Sequence, residues 1–169
     1  MSKFLVLTAI VVAVVAWQYS LLSNPQHTIV SSGVAHPGRT PPDAKYFPNY
    51  IQNKQGLWLY WRQWLPKAEP TAVVFLVSGL GEHAARYDAL AAAYTAKGFA
   101  AFLLEHQGQG GSEGDRKYVE RFQDYVDDTE QFIKARLAAD AKLAKLPRFV
   151  FGASMGGLIT THLTLRHPK

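Results

Sequence analysis

The residues with the clearest chemical potential are Gly152-Ala-Ser-Met-Gly156, a G-x-S-x-G string. Composition alone yields about 0.05 such strings per chain, so the string is suggestive and its setting decides. It lies between an apolar run ending at Phe151 and a helix-forming stretch that opens with Gly156-Gly157. A serine at so sharp a strand-to-helix turn takes a strained backbone and lifts its hydroxyl clear of the sheet. Gly152 and Gly156 are needed there because a Cβ at either would collide. Ser154 would then be a nucleophile at the positive end of the next helix, with the Met155 N–H placed to receive a developing oxyanion. The alternative is an ordinary strand–helix turn rich in small residues. A second string competes for the chemistry. Gly79-Leu-Gly-Glu-His-Ala84 is G-x-G-x-x-A after a strand-like run, and Glu105 follows Gly81 by 24 residues. That approaches a dinucleotide fingerprint, with Glu105 on a ribose. It accounts for neither the turn at Ser154 nor the glycine-rich loop at 105–114, and it ranks second.

The elements that must hold these residues read as a strand–turn–helix series. Tyr46–Ile51 and Leu57–Leu65 form a hairpin across Asn53-Lys-Gln-Gly56. Ala72–Val77, Phe99–Leu104 and Phe149–Phe151 are short continuous apolar runs, as in strands buried on both faces. Ala84–Lys97 is an alanine-rich helix stopped by Gly98. Phe122, Val126, Thr129, Ile133 and Leu137 recur at helical spacing, and Gly156–Arg166 is the next helix. Buried strands alternating with helices predict an α/β fold: a mostly parallel sheet with helices on both faces. Ligands then sit at the carboxyl ends of the strands, where the loops 78–82, 105–114 and 152–157 must converge.

Three motifs in order resemble the monoacylglycerol lipase and lysophospholipase branch of the α/β-hydrolase superfamily, a serine aminopeptidase S33-type domain. Ser78-Gly-Leu-Gly-Glu-His83 with Arg86-Tyr87 is similar to H-G-x-G-E-H…R-Y. Glu105-His-Gln-Gly-Gln-Gly-Gly-Ser-Glu-Gly114 with Arg116 is similar to D-H-x-G-H-G-x-S-x-G-x-R, and Gly152–Gly157 to G-H-S-M-G-G. The resemblance runs from about Asn49 to Pro168. It implies an α/β-hydrolase fold, Ser154 as nucleophile, and the backbone N–H groups of Leu80 and Met155 as oxyanion hole. It also implies a lipid ester as substrate, and no cofactor or metal. Four positions depart from the pattern: Ser78, Gln109 and Ala153 replace histidines and Glu105 replaces an aspartate. None is expected to move a proton, but local hydrogen bonding must differ. His83 and His106 match structural positions.

A serine hydroxyl needs a base, and the base an orienting carboxylate, following in the order Ser…Asp/Glu…His. Residues 155–169 contain no Asp or Glu, and His162 and His167 are carried away from Ser154 by the helix at about 1.5 Å per residue. The expectation is therefore the N-terminal half of a hydrolase domain, truncated after the nucleophile helix and inactive by itself. A non-catalytic module of the same fold is the alternative.

Residues 1–23 read as a signal anchor or a cleaved signal peptide, because Phe4–Trp17 is uniformly apolar behind Lys3 and apolar character resumes to Leu22. This predicts a membrane-associated or exported protein. Residues 24–45 read as a linker. Five of the nine prolines fall between Asn24 and Pro48, which no helix or central strand survives. The hydrolase body would run from 46 to 169. Net charge is +5, but the charges from Arg116 to Arg148 alternate in sign, which argues against nucleic acid as a partner. The chain has no cysteine, so thiol nucleophiles and disulfides are excluded, and its six histidines show no metal-ligand spacing.

Overall fold

The computed structural model describes residues 48–167. The anchor or signal at 1–23 and the linker at 24–45 lie outside the described residues. Among the described residues no helix is long and apolar enough to cross a membrane.

Five strands, β1 (Tyr50–Gln52), β2 (Trp58–Trp64), β3 (Ala72–Val77), β4 (Phe99–Leu104) and β5 (Arg148–Gly152), form one sheet in the order β1-β2-β4-β3-β5. The helices are α1 (Asp88–Thr95), α2 (Phe122–Ala139) and α3 (Met155–Arg166). β4, β3 and β5 run parallel, and the β1–β2 hairpin closes the far side antiparallel to β4. Val77 of β3 is level with Leu104 of β4 on one side and Gly152 of β5 on the other. That register brings the three glycine-rich loops out at one end of the sheet.

Side chains alternate across a strand, so β3 feeds two layers. Val73 and Phe75 pack with Phe102 and with Phe132 of α2, whereas Val74 and Leu76 pack with Tyr87 and with Ala91 of α1. Phe75 stacks on Phe102 with ring centroids 5.6 Å apart and meets Phe132 edge-on at 6.1 Å. Each fully buried side chain of this size contributes roughly 1.5–3 kcal/mol. α3 joins the α2 side, where Ile159 and Leu163 meet Val126 and Val77.

Three elements differ from expectation. β1 starts at Tyr50, because Pro48 and Asn49 form a 3-10 turn and proline gives no N–H to a ladder. The helix expected over 84–97 begins as a 3-10 turn, Ala84–Tyr87. The Arg86 N–H bonds back to the His83 carbonyl, and the Ala84 N–H is drawn to Glu105. Gly98 ends the stretch at φ +84°. β5 is not buried: among the described residues it pairs with β3 alone, and Phe149, Val150 and Phe151 are 53%, 39% and 38% exposed.

Candidate active site

Ser154 is the residue between β5 and α3, exposed, with φ 51° and ψ −118°. Among the described non-glycine residues only Lys117 shares a positive φ. The turn is closed by the flanking glycines. A Cβ at Gly156 would lie 2.0 Å from the Val77 carbonyl oxygen, and one at Gly152 would lie 2.3 Å from the Gly156 oxygen. Both glycines are thus required by contact with backbone, which cannot yield. The Gly156 and Gly157 N–H groups bond back to Ala153 and Ser154 carbonyls. Among the described residues the Met155 N–H and the Ser154 hydroxyl have no protein partner.

The loop after β3 lies directly against this turn: a Cβ at Gly79 would come within 3.3 Å of the Ser154 Cβ. Its amides have separate partners. The Gly79 N–H donates to Glu82 Oε2 at 2.8 Å, and the Gly81 N–H donates to Gln109 Oε1 at 2.8 Å. Leu80 is exposed, and among the described residues its N–H has no acceptor. Glu82 also receives the Tyr87 hydroxyl at 2.6 Å. That bond, with the Gly79 N–H, holds the Glu82 carboxyl below its ordinary value, while burial and the same carboxylate push the Tyr87 phenol up to about 12.

The third loop is polar in sequence yet buried. Glu105, His106, Gln107, Gln109 and Ser112 are all buried. Glu105 accepts the Ala84 N–H at 2.6 Å and the Gly111 N–H, so one carboxylate ties this loop to the loop after β3. Glu105 is buried with each oxygen turned to a loop amide, so it does not face outward as a ribose ligand would, and the dinucleotide reading loses its acidic residue. The Ser112 hydroxyl donates to the Glu105 carbonyl at 2.6 Å and accepts the Tyr60 N–H at 2.9 Å, fastening the loop to β2.

Among the described residues the histidines do not gather at Ser154. His162 faces Gln123 and the Phe122 ring, and His167 faces Glu130. His83 is exposed. His106 is 1% exposed against the Tyr125 ring, and burial pushes it down to about 4, opposed in part by the Ser78 backbone. Ser78, where the motif has histidine, is fully buried, and its hydroxyl has no partner among the described residues. No group of three potential metal ligands occurs among the described residues.

The sequence reading had brought Ser154, Leu80, Met155, Gly152 and Gly156 to one place, and the structure gathers them around the turn. It missed the side chains that fix the backbone there, Glu82, Glu105 and Gln109. Both Gln109 and Glu105 stand in the second motif, where Gln109 reads only as a departure and Glu105 as a departure or as a ribose ligand. It also missed buried Asp128 of α2, which accepts from Asn53 Nδ2 at 3.2 Å and Gln107 Nε2 at 2.9 Å.

A mixed sheet of this strand order, with a strained serine at the turn after β5, is an α/β-hydrolase fold. The sequence profile described as serine aminopeptidase, S33 matches residues 68–169, more than half of the chain, and the chain belongs to that family. It is 35% identical over 134 residues to a monoglyceride lipase of Rattus norvegicus, covering 78% of this chain and 43% of that protein. It is 34% identical over 113 residues to a monoacylglycerol lipase of Mycolicibacterium smegmatis, covering 67% and 39%. A soluble variant of the monoglyceride lipase of Saccharomyces cerevisiae superposes with a TM-score of 0.61 at 24% identity, over 70% of this chain and 38% of that one. The chain thus spans less than half the length of these relatives.

Proposed function

We propose that these residues supply the nucleophile and the oxyanion donors of a serine ester hydrolase acting on acylglycerols or lysophospholipids. The observation that carries the reading is Ser154: exposed, at φ 51°, heading a helix, and against a loop whose Leu80 N–H has no acceptor among the described residues. In this scheme the Ser154 oxygen attacks the ester carbonyl carbon while its proton passes to a base. The carbonyl oxygen becomes an oxyanion held by the Leu80 and Met155 N–H groups. Collapse expels the alcohol, protonated by the base, and leaves an acyl-enzyme. Water, deprotonated by the same base, attacks the acyl carbon, and the fatty acid departs as Ser154 recovers its proton. An anionic intermediate facing two prepaid donors is worth about 2.7–4 kcal/mol per donor in barrier height. The likeness to proteins described as monoglyceride lipase and as phospholipase supports a lipid ester over other acyl groups.

Residues 155–167 offer no carboxylate, and their two histidines are engaged on α2. Among the described residues no histidine or carboxylate is bonded to the Ser154 hydroxyl, so the 169-residue polypeptide alone is expected not to turn over. That same observation favours a second reading, a non-catalytic module of the fold. Monoacylglycerol hydrolysis by the full-length protein, measured with and without Ser154→Ala, decides. Turnover that disappears with the substitution supports the esterase, turnover that survives it removes Ser154 from the chemistry, and no turnover in either supports the module. Residues 1–23 would tether the protein to a membrane or export it. Carbonate extraction of membranes distinguishes an anchor, which stays in the pellet, from a cleaved signal.

A further inference from the structure

Three consecutive amides in the loop after β3 have different fates. Gly79 donates to Glu82 and Gly81 donates to Gln109, each at 2.8 Å, and only the Leu80 N–H between them has no acceptor among the described residues. A Gly-Leu-Gly segment has wide conformational freedom, and Gly81 sits at φ +77°. Holding the amides on both sides fixes the peptide planes and therefore the direction of the one between. The Glu82 tether is local, but Gln109 reaches in from 28 residues away and ties the direction to a separate, rigid loop.

Gln109 is built for this. It is 2% exposed. Its own backbone is held at both ends, its N–H by the His106 carbonyl and its carbonyl by the Ser112 N–H. Because Gly81 offers a donor, the carboxamide must present its oxygen and not its nitrogen. We propose that Gln109 is a positioning residue for the oxyanion hole: by holding the Gly81 N–H, its carboxamide oxygen aims the Leu80 N–H at the reacting carbonyl. The inference rests on the reading of Ser154 as nucleophile, and it concerns a side chain that never touches the substrate.

The test is Gln109→Met in the full-length protein. Methionine keeps the length and bulk of the side chain and removes the acceptor. With a p-nitrophenyl ester the expected result is a kcat at least tenfold lower and a KM within twofold. Amide hydrogen exchange across residues 79–82 should be at least tenfold faster, with exchange in β3 and β4 unchanged. Gln109→His supplies a second arm. A neutral imidazole nitrogen accepts the Gly81 N–H, but an imidazolium cannot, so activity should return at high pH and show a further acid limb beyond the one set by the parent protein's own base. A merely space-filling role would yield neither the kcat-selective loss nor the new limb. Ser154→Ala, run alongside, separates the two claims. If turnover survives Ser154→Ala, the serine reading has failed and the inference falls with it. If turnover needs Ser154 while Gln109→Met leaves kcat and exchange unchanged, the inference alone is overturned.

Discussion

Ser154 holds its exposed position against its own backbone preference. A non-glycine residue at φ 51° and ψ −118° costs about 1–3 kcal/mol, retained because the contacts around it leave no alternative. Ser154→Gly should therefore raise unfolding stability by about 1 kcal/mol in urea titrations, strain relief outweighing the added freedom of the unfolded chain, while abolishing turnover. Gly156→Ala should do the reverse. Its methyl would have to occupy space 2.0 Å from the Val77 carbonyl oxygen, so a loss of at least about 2 kcal/mol is expected in the same assay. Both glycines could be read in the sequence, because the G-x-S-x-G spacing has only one comfortable geometry between a strand and a helix. Gln109 and Glu105 could not, since hydrogen bonds to amides 21 and 28 residues away leave no local pattern.

At the level of elements, α2 and the loop after β4 bury two titratable groups that respond to acid in opposite directions. His106 is pushed down to about 4 by burial, from 6.5. Its neutral form is favoured in the fold, so its contribution is present above pH 6.5 and is lost as the pH falls towards 4. Asp128 is pushed up to about 6, from 3.8, by burial, with Asp124 and Asp127 adding repulsion. Its contribution is complete below pH 3.8 and is lost as the pH rises through 6. Each amounts to about 3 kcal/mol across its window, and between pH 4 and 6 they largely cancel. Asp128→Asn should gain stability relative to the parent protein as pH rises from 4 to 6, and His106→Asn should gain as pH falls from 6.5 to 4. Denaturation midpoints across that range test both, and parallel curves would refute the pairing. Helical periodicity revealed α2 from sequence: Phe122, Val126, Ile133 and Leu137 pack into the core and Thr129 is buried. Asp128 escaped notice because an acidic residue on an amphipathic helix reads as solvent-facing until its partners Asn53 and Gln107, 75 and 21 residues away, are brought to it.

For the whole molecule, the dominant feature is the outer edge of β5. Apolar residues 149–151 are exposed, and so are Leu158 and Leu165 of α3, at 51% and 74%. An unpaired apolar strand is a template for association. The 169-residue polypeptide should therefore self-associate, and Val150→Lys should shift it towards monomer in light scattering without changing its circular dichroism. The sequence marked 149–151 as a core strand because composition reports what a segment can bury, not whether a neighbour is present to bury it. That β3, β4 and β5 run parallel followed from alternating apolar runs and helices, and the hairpin followed from turn residues, whereas the order β4-β3-β5 has no local signal. The crowding of Gly156 against Val77 has a bearing on biosynthesis. The serine turn is assembled only when β5 seats on β3, so a ribosome-bound chain released before that docking holds its hydroxyl on slack backbone. Any reactivity of the Ser154 hydroxyl would therefore be acquired late, as a product of tertiary closure.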